Sequence, residues 1–264
     1  MVGPERSEQD QYVGWRDLTV WKSAAGRFAA GIVYRAARWF GPYPVLMVTV
    51  LLGLSAALVL IAGSVEIYEA VAETDGVAGL DEPVLQWAIA ARSPDLNEAV
   101  TAFTTVGGPV GMPVLATIAT AGLAIWRRWW TPVVLMVAAT AGSLLLTVVG
   151  KSLVGRIRPP LADAVAPYES SEAFPSGHAL NAVVVAGVVA YLLVLRQRRW
   201  STRAMTVGAA AVFALAMGLS RVYLGHHWLT DVLVAWTLGL AWLSIVIVAH
   251  RLFLTIRHVR RQPH

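Results

Sequence analysis

Three short segments of this chain carry most of the residues whose types and spacing suit chemistry. They are Lys151-x6-Arg158-Pro159, Pro175-Ser176-Gly177-His178, and Ser220-Arg221-x5-His227-x3-Asp231. All three lie at the edges of long apolar stretches. A charged side chain at the centre of a bilayer costs roughly 2.5–3.5 kcal/mol on insertion scales, so a cluster of such groups needs a function. An anion that all three segments bind together would account for the cluster.

The permanent cations of these segments suit an oxyanion. Lys151 and Arg158 are separated by about two helical turns, so they share a face if the helix continues between them. A guanidinium group, as in Arg158 or Arg221, matches phosphate oxygens in bidentate geometry, and lysine adds a point charge. Ser176 and Gly177 precede an apolar helix, whose first backbone N–H groups are unpaired and can bind an anion. The sequence therefore predicts a site for a phosphate-like anion.

Two histidines and one aspartate add reactive groups to this site. Asp231 follows His227 by four residues, so the two side chains are neighbours on a helix. A carboxylate bonded to one ring nitrogen fixes the tautomer and leaves the other nitrogen free to attack. His178 would then be the general acid that protonates the leaving oxygen. Phosphoryl transfer needs mainly positioning and charge stabilisation, which the cations supply without a metal.

Structural interpretations compete with these chemical ones. A cation at a helix end can snorkel to the membrane surface, and an acid at a helix start is favoured by the helix dipole. Both interpretations lose weight because cations and histidines recur together in these segments. His226 is an alternative nucleophile, although the motif spacing favours His227. Arg156 is outside the motif and is interpreted as a rim charge, and His250 is interpreted as a structural histidine.

The composition is typical of a membrane protein. Of 264 residues, 57% are hydrophobic and 14% are charged, whereas a soluble domain carries about 25% charged residues. The net charge of +5 is spread over short clusters between apolar runs, which argues against nucleic acid as a partner. The absence of cysteine excludes disulfides, thiolate catalysis and Cys-ligated metals.

Six apolar stretches are long enough to cross a bilayer, which requires about 20 residues in a helix. Backbone groups inside lipid must pair internally, so these stretches are expected to be helices. We therefore predict an all-α, integral membrane six-helix bundle. The predicted spans are approximately Pro44–Ser64, Pro109–Trp126, Thr131–Gly150, Gly177–Leu195, Ala204–Leu219 and Trp228–Ala249.

The distribution of Lys and Arg predicts the orientation of these spans. Basic clusters lie before the first predicted span, in the second and fourth connections, and after the last span. The 65–108 connection instead has eight acids and one base, Arg92. By the positive-inside rule both termini are cytoplasmic, and the three segments lie at the extracytoplasmic end. The connection before the second span has Gly and Pro breaks, which indicate short extracytoplasmic helices.

The chain divides into three predicted parts. Residues 1–43 form a cytoplasmic tail, in which residues 18–40 show an amphipathic helical pattern. That helix is expected to lie on the membrane surface, with a solvated helix docked on the bundle as the alternative. Residues 44–250 form the six-span domain, and residues 251–264 form a basic cytoplasmic tail.

The three segments resemble the signature of the type 2 phosphatidic acid phosphatase family, which shares its catalytic core with vanadium haloperoxidases. The match has no gap in any of the three segments. By this resemblance, His227 forms a phosphohistidine with support from Asp231, and His178 is the acid. The resemblance also assigns phosphate binding to five residues: Lys151, Arg158, Ser176, Gly177 and Arg221. The stretches 80–83 and 104–107 resemble an outer segment of the same family more weakly.

The resemblance implies a membrane lipid phosphatase that needs no metal or other cofactor and acts on the extracytoplasmic face of the cell membrane. Its partners would be a lipid phosphate and the bilayer, with no nucleic acid and no obligatory protein partner. A polyprenyl diphosphate is the favoured substrate, with phosphatidylglycerophosphate or phosphatidic acid as alternatives. From other classes, a phospholipid transporter or scramblase and a vanadium haloperoxidase remain alternatives.

Overall fold

The computed structural model describes residues 12–13, 16–41, 53 and 77–261. Within these ranges the regular secondary structure is helical, apart from two-residue strands β1 (Tyr12–Val13) and β2 (Arg16–Asp17) that pair antiparallel. Single 3-10 turns lie at Val77–Leu80 and Leu161–Asp163. The helices are α1 (Ala24–Phe40), α2 (Asp81–Ala90), α3 (Pro94–Val106), α4 (Gly111–Arg127), α5 (Thr131–Val154), α6 (Gly177–Val194), α7 (Trp200–Tyr223) and α8 (Leu229–Arg261).

Four of the described helices, α5 to α8, are long and apolar enough to cross a membrane. The helices α3 and α4 are bent by 52° at a short break and together pass the same test, which gives up to five spans. The predicted span Pro44–Ser64 lies outside the described residues except for Gly53. The helical fold and the multi-pass membrane character are therefore confirmed.

Two predicted spans are shorter than the helices that contain them. The stretch predicted as Ala204–Leu219 is part of the 24-residue helix α7, and the helix that contains the last predicted span continues to Arg261. The hydropathy pattern ended the fifth span at Ser220 and Arg221 because both are polar. In the structure both remain helical because their side chains hydrogen-bond inside the bundle, to Thr104. The last turn of α7 thereby carries Arg221 into the bundle interior.

The centre of the bundle is α6, which packs against α5, α7 and α8. Small residues let these helices approach closely, as is common where membrane helices cross. At one crossing the indole of Trp242 is 1% exposed and lies directly on Gly142 of α5. The indole N–H donates to the carbonyl of Ala139 at 2.9 Å, which fixes the ring. The helices that carry the three segments are thus held in one packed core.

The N-terminal segment docks on the far end of α8. Arg251 donates from Nε and Nη2 to the carbonyl of Leu18, at 3.1 and 2.9 Å, and its guanidinium lies 4.3 Å from the ring centre of Trp21. The indole of Trp21 donates to Thr255 at 3.2 Å. These contacts lie near the C-terminal end of α8, whereas Asp231 lies in its first turn.

The close contact between α5 and α8 predicts a large effect of one methyl group. A Cβ atom at Gly142 would lie 2.0 Å from Trp242 Cζ2, and the bonded indole cannot move aside. We expect Gly142→Ala to lower the free energy of unfolding by about 1–3 kcal/mol, the usual cost of overpacking. Thermal melting of the protein in detergent measures the change.

Gly122 of α4 is the matched control, because a Cβ atom there meets nothing within 4 Å. Gly122→Ala should leave the melting temperature unchanged or raise it, since alanine favours a helix by up to about 1 kcal/mol over glycine. Equal melting temperatures for both variants would show that the contact of Trp242 with Gly142 does not limit stability.

Candidate active site

The three segments meet at one end of the bundle, where α5 and α7 end and α6 and α8 begin. The turn between α7 and α8 brings His227 back over the end of α7, and its N–H donates to the carbonyl of Arg221 at 3.3 Å. Gly225 makes this turn possible with a φ of +70°, in the left-handed region that favours glycine. A Cβ atom at Gly225 would also lie 2.3 Å from the carbonyl oxygen of Asp163.

His227 lies between a carboxylate and a guanidinium group. Its side chain is 1% exposed, with Nδ1 3.5 Å from Asp231 Oδ2 and Nε2 3.2 Å from Arg158 Nη1. The first contact is too long for a strong hydrogen bond, but catalytic hydrogen bonds often tighten only when substrate binds. Burial lowers the pKa of His227, against the opposing hydrogen bond to Asp231. The imidazole is therefore neutral at physiological pH, with Nε2 directed toward the cations.

Three cations surround the loop between α5 and α6. Arg158 Nη2 lies 2.7 Å from Glu169 Oε2, and Arg221 Nη2 contacts Glu169 Oε1. Lys151 Nζ donates to Ser171 Oγ at 3.1 Å and also to the carbonyl of Glu172. Burial opposes ionisation of Glu169, but the charges of Arg221 and Arg158 outweigh it and lower the pKa of this carboxyl to about 2. The carboxylate is therefore ionised and shared by two guanidinium groups.

The segment that opens α6 supplies further polar groups. Ser176 is fully buried, and its Oγ makes no hydrogen bond within the described residues; the same holds for Nε of Arg221. Gly177 packs tightly on α5, since a Cβ atom there would lie 3.2 Å from Thr147 Cγ2. His178 follows in the first turn of α6. Two buried groups are thus available to the oxygens of an anion.

The structure brings all eight predicted site residues to this end of the bundle, while their chemical roles remain predictions. It also separates His227 from its neighbour. His226 is buried, and its Nε2 donates to the carbonyl of Val165 at 2.6 Å. Burial and the charge of Arg221 lower the pKa of His226 to about 4. The contacts of His226 are thus those of a structural residue, and His250 is likewise structural, since its Nδ1 lies 2.9 Å from the hydroxyl of Tyr191.

The interpretation of Arg156 as a rim charge was wrong. Its side chain is only 12% exposed and lies between two buried carboxylates. Nη1 donates to Asp231 Oδ1 at 2.6 Å, and Nη2 donates to Asp81 Oδ2 at 2.7 Å. The backbone N–H of Trp228 donates to Asp231 Oδ2 at 2.9 Å, which completes the fixation of this carboxylate. The sequence did not assign Arg156 to the site because Arg156 is not one of the motif positions.

Two further residues come from the segment before α4. Asp81, at the start of α2, accepts from the N–H and the hydroxyl of Thr230 at 2.9 and 2.7 Å. Thr104 of α3 accepts from Arg221 Nη1 at 3.0 Å. The weak resemblance of stretches 80–83 and 104–107 was the available signal for both. No sequence signal selected Glu169, because the same loop also contains Asp163 and Glu172.

The two salt bridges of Arg156, to Asp81 and to Asp231, predict an effect on the pH profile. Without the charge of Arg156, Asp231 should stabilise protonated His227 more strongly and raise its pKa. We therefore expect Arg156→Gln to move the acidic limb of the kcat/KM profile to higher pH and to reduce kcat/KM by about 100-fold, as for a misplaced catalytic group. Arg156→Lys should restore part of the activity because it keeps the charge.

Arg92 is the matched control for this bridge. It donates to the backbone carbonyls of Tyr223 and Asp163 at 2.7–3.0 Å, so it holds the same outer layer without contacting the Asp231 carboxylate. Arg92→Gln should lower the melting temperature and leave the pH profile in place. An unshifted profile in Arg156→Gln would reduce Arg156 to a purely structural residue.

Known proteins resemble this chain in sequence and in structure. A family model for the PAP2 superfamily matches residues 132–253. Phosphatidylglycerophosphatase B of Bacillus subtilis is 39% identical over 175 residues, which cover 66% of this chain and 85% of that protein. Undecaprenyl-diphosphatase of Sulfolobus acidocaldarius is 30% identical over 133 residues, which cover 49% of this chain and 60% of that protein.

A solved structure extends the likeness to the fold. The crystal structure of a transmembrane PAP2 type phosphatidylglycerolphosphate phosphatase from Bacillus subtilis superposes with a TM-score of 0.62 at 34% identity. The superposition covers 74% of this chain and 92% of that one. The family resemblance of the three segments is therefore confirmed. The chain belongs to the PAP2 superfamily and is a membrane lipid phosphatase, a phosphoric ester hydrolase.

Proposed function

We propose that this enzyme hydrolyses its lipid phosphate through a phosphohistidine at His227, without a metal. The observation that carries the proposal is the buried imidazole of His227, with Asp231 on its Nδ1 side and Arg158 on its Nε2 side. A carboxylate at Nδ1 holds the tautomer whose Nε2 lone pair can attack. A transporter or scramblase would need the cations but not an oriented histidine.

The reaction has two steps. Nε2 of His227 attacks phosphorus, the bond from phosphorus to the leaving oxygen breaks, and His178 gives its proton to that oxygen. Water then attacks phosphorus while His178 takes a proton from that water, the bond between phosphorus and Nε2 of His227 breaks, and inorganic phosphate leaves. Charge on the transferring phosphoryl group is stabilised by Lys151, Arg158 and Arg221, helped by the hydroxyl of Ser176 and the backbone N–H of Gly177.

The substrate is a lipid whose phosphate reaches the end of the bundle. Phosphatidylglycerophosphate is our first candidate, supported by the longer and closer likeness to phosphatidylglycerophosphatase B. A polyprenyl diphosphate is the second candidate, supported by the likeness to undecaprenyl-diphosphatase over a shorter stretch. Phosphatidic acid is the third candidate, since it carries a phosphate monoester as phosphatidylglycerophosphate does.

We further propose six spans with both termini in the cytoplasm and the active site on the extracytoplasmic face. The alternation of basic clusters supports this orientation. The helix α1 would lie on the cytoplasmic leaflet as part of the tail 1–43, before the six-span domain 44–250 and the basic tail 251–264. Its exposed large apolar residues, Phe28, Ile32 and Trp39, support this placement, Trp39 being 86% exposed.

Replacing either proposed catalytic histidine should abolish phosphate release. We expect His227→Asn and His178→Asn each to lose at least about 1,000-fold in kcat, assayed in detergent with phosphatidylglycerophosphate, a polyprenyl diphosphate and phosphatidic acid. The lipid with the highest kcat/KM identifies the substrate. Vanadate should inhibit the wild type, and EDTA should not.

His250→Asn is the control, because His250 lies near the opposite end of α8 and pairs with Tyr191. It should retain activity on the preferred lipid. Full hydrolysis by His227→Asn would exclude the phosphohistidine, and lipid movement across vesicles without any hydrolysis by the wild type would favour a transporter.

The two-histidine reaction also predicts a bell-shaped pH profile. His227 must be neutral to attack, and burial holds its pKa below the ordinary value, so the acidic limb of kcat/KM should lie below about pH 6.5. The basic limb reports the loss of the proton that His178 donates. Both apparent pKa values belong to the coupled pair of His227 and His178. A flat profile between about pH 5 and 8, where histidine normally titrates, would contradict the scheme.

A further inference from the structure

The carboxylate of Glu169 occupies the centre of the cation cluster. It is held by Nη2 of both Arg158 and Arg221, and its Oε2 lies 4.0 Å from Nε2 of His227. Reacting atoms in a productive complex are about 3–3.5 Å apart. A phosphoryl group poised for attack by His227 would therefore place its oxygens where the carboxylate oxygens of Glu169 now lie.

We propose that Glu169 is an internal competitor of the phosphoryl group, which must displace its carboxylate from Arg158 and Arg221 in every turnover. The inference rests on the proposed phosphate site and adds a residue that sets the affinity of that site for anions. Carboxylates and phosphates match the same guanidinium fork, so both compete for the same donors. Two anions cannot share this position, because like charges at contact distance repel.

A phosphoryl group has more acceptors to offer than the carboxylate it displaces. A carboxylate has two oxygens, whereas a terminal phosphate has three strong acceptor oxygens. Ser176 Oγ and Arg221 Nε, two of the buried atoms that make no hydrogen bond within the described residues, suit the additional oxygen. The competitor is thus weaker than the substrate, as turnover requires.

The local structure allows Glu169 to leave without rearranging the fold. Its side chain is 28% exposed, and residues 166–168 and 170–172 on either side are exposed. The loop is anchored on both sides of this stretch. The N–H of Val165 donates to the carbonyl of Leu224 at 2.9 Å, and that of Ala173 donates to the carbonyl of Arg156 at 2.8 Å. Rotation of one side chain toward solvent is sufficient.

The competitor stays ionised over the pH range in which histidine titrates, because the charges of Arg221 and Arg158 lower the pKa of Glu169 to about 2. Because the carboxylate of Glu169 competes for Arg158 and Arg221, every anion binds there more weakly, including the product, inorganic phosphate. Three cations around an inorganic phosphate would otherwise hold it tightly and slow its release. A carboxylate that returns to the two arginines assists departure of the phosphate.

The experiment compares inhibition constants of Glu169→Gln and the wild type. Glutamine keeps the shape of the side chain and removes its charge, so we expect the Ki values of inorganic phosphate and orthovanadate to fall by at least about tenfold. A tenfold fall in Ki corresponds to about 1.4 kcal/mol of binding free energy, near the lower end of the range for a hydrogen bond to a charged group. The KM for the lipid should fall as well. Glu169→Asp, which keeps the charge but shortens the reach, should give an intermediate decrease.

Glu172 is the matched control, since it is an acid on the same exposed stretch whose carbonyl, not its carboxylate, contacts Lys151 and Arg158. Glu172→Gln should change both Ki values by less than about twofold. Equal effects of the two Gln variants would reduce the role of Glu169 to general repulsion and overturn the proposal. Higher Ki values in Glu169→Gln would also overturn it, because Glu169 would then support anion binding.

The wild type separates this inference from the proposed function. If the wild type hydrolyses no lipid phosphate, or if vanadate does not inhibit its hydrolysis, the phosphate site itself is wrong. If it hydrolyses a lipid phosphate and is inhibited by vanadate while the Ki values of Glu169→Gln are unchanged, only the competitor is wrong. The kcat of each variant on the preferred lipid, together with its melting temperature, shows that the protein measured is folded.

Discussion

The buried carboxylate of Asp231 is the contact on which the active site depends. It lies in the first turn of α8, fully inaccessible to solvent, and is bonded to Arg156 and to the backbone of Trp228. Breaking a buried ion pair by removing one partner typically costs 3–5 kcal/mol, because the remaining charge is left uncompensated. The position of His227 follows from this fixed charge, since Asp231 is the carboxylate that faces its Nδ1.

The charges of the site alternate in sign from the outer layer to the reaction centre. Asp81 holds Arg156, Arg156 holds Asp231, and beyond His227 the guanidinium groups of Arg158 and Arg221 face Glu169. Such pairing offsets part of the cost of burying each ion. Burial keeps His227 neutral in the middle of this series. Charge pairing therefore connects the outer layer, through Arg156 and Asp231, with the surroundings of His227.

Sequence reasoning succeeded where a residue type at a given spacing has few physical explanations. Cations and histidines at the ends of apolar helices pointed to residues that the structure brings to one end of the bundle, and hydropathy identified the helices that carry them. It was less accurate where partners lie far apart in the chain. The polar residues Ser220 and Arg221 were taken as the end of a span because Thr104, which pairs with both, was not known to lie beside them. Arg156 and Glu169 were not assigned to the site for the same reason, since only the folded structure shows which acids and bases meet.

The contact between Asp81 and Thr230 joins positions 149 residues apart. Membrane proteins are synthesised from the N-terminus, and each contact forms only after both partners have emerged. Lys151 and Arg158 therefore enter the membrane region well before His227 and Asp231, which come with the last helix. A chain that has inserted all but α8 holds the cations Lys151, Arg158 and Arg221 proposed to bind the anion, but it lacks the fixed pair of His227 and Asp231. On the proposed mechanism the site is completed only when the last helix docks and joins Asp231 to Arg156 and Thr230 to Asp81, residues that were synthesised earlier.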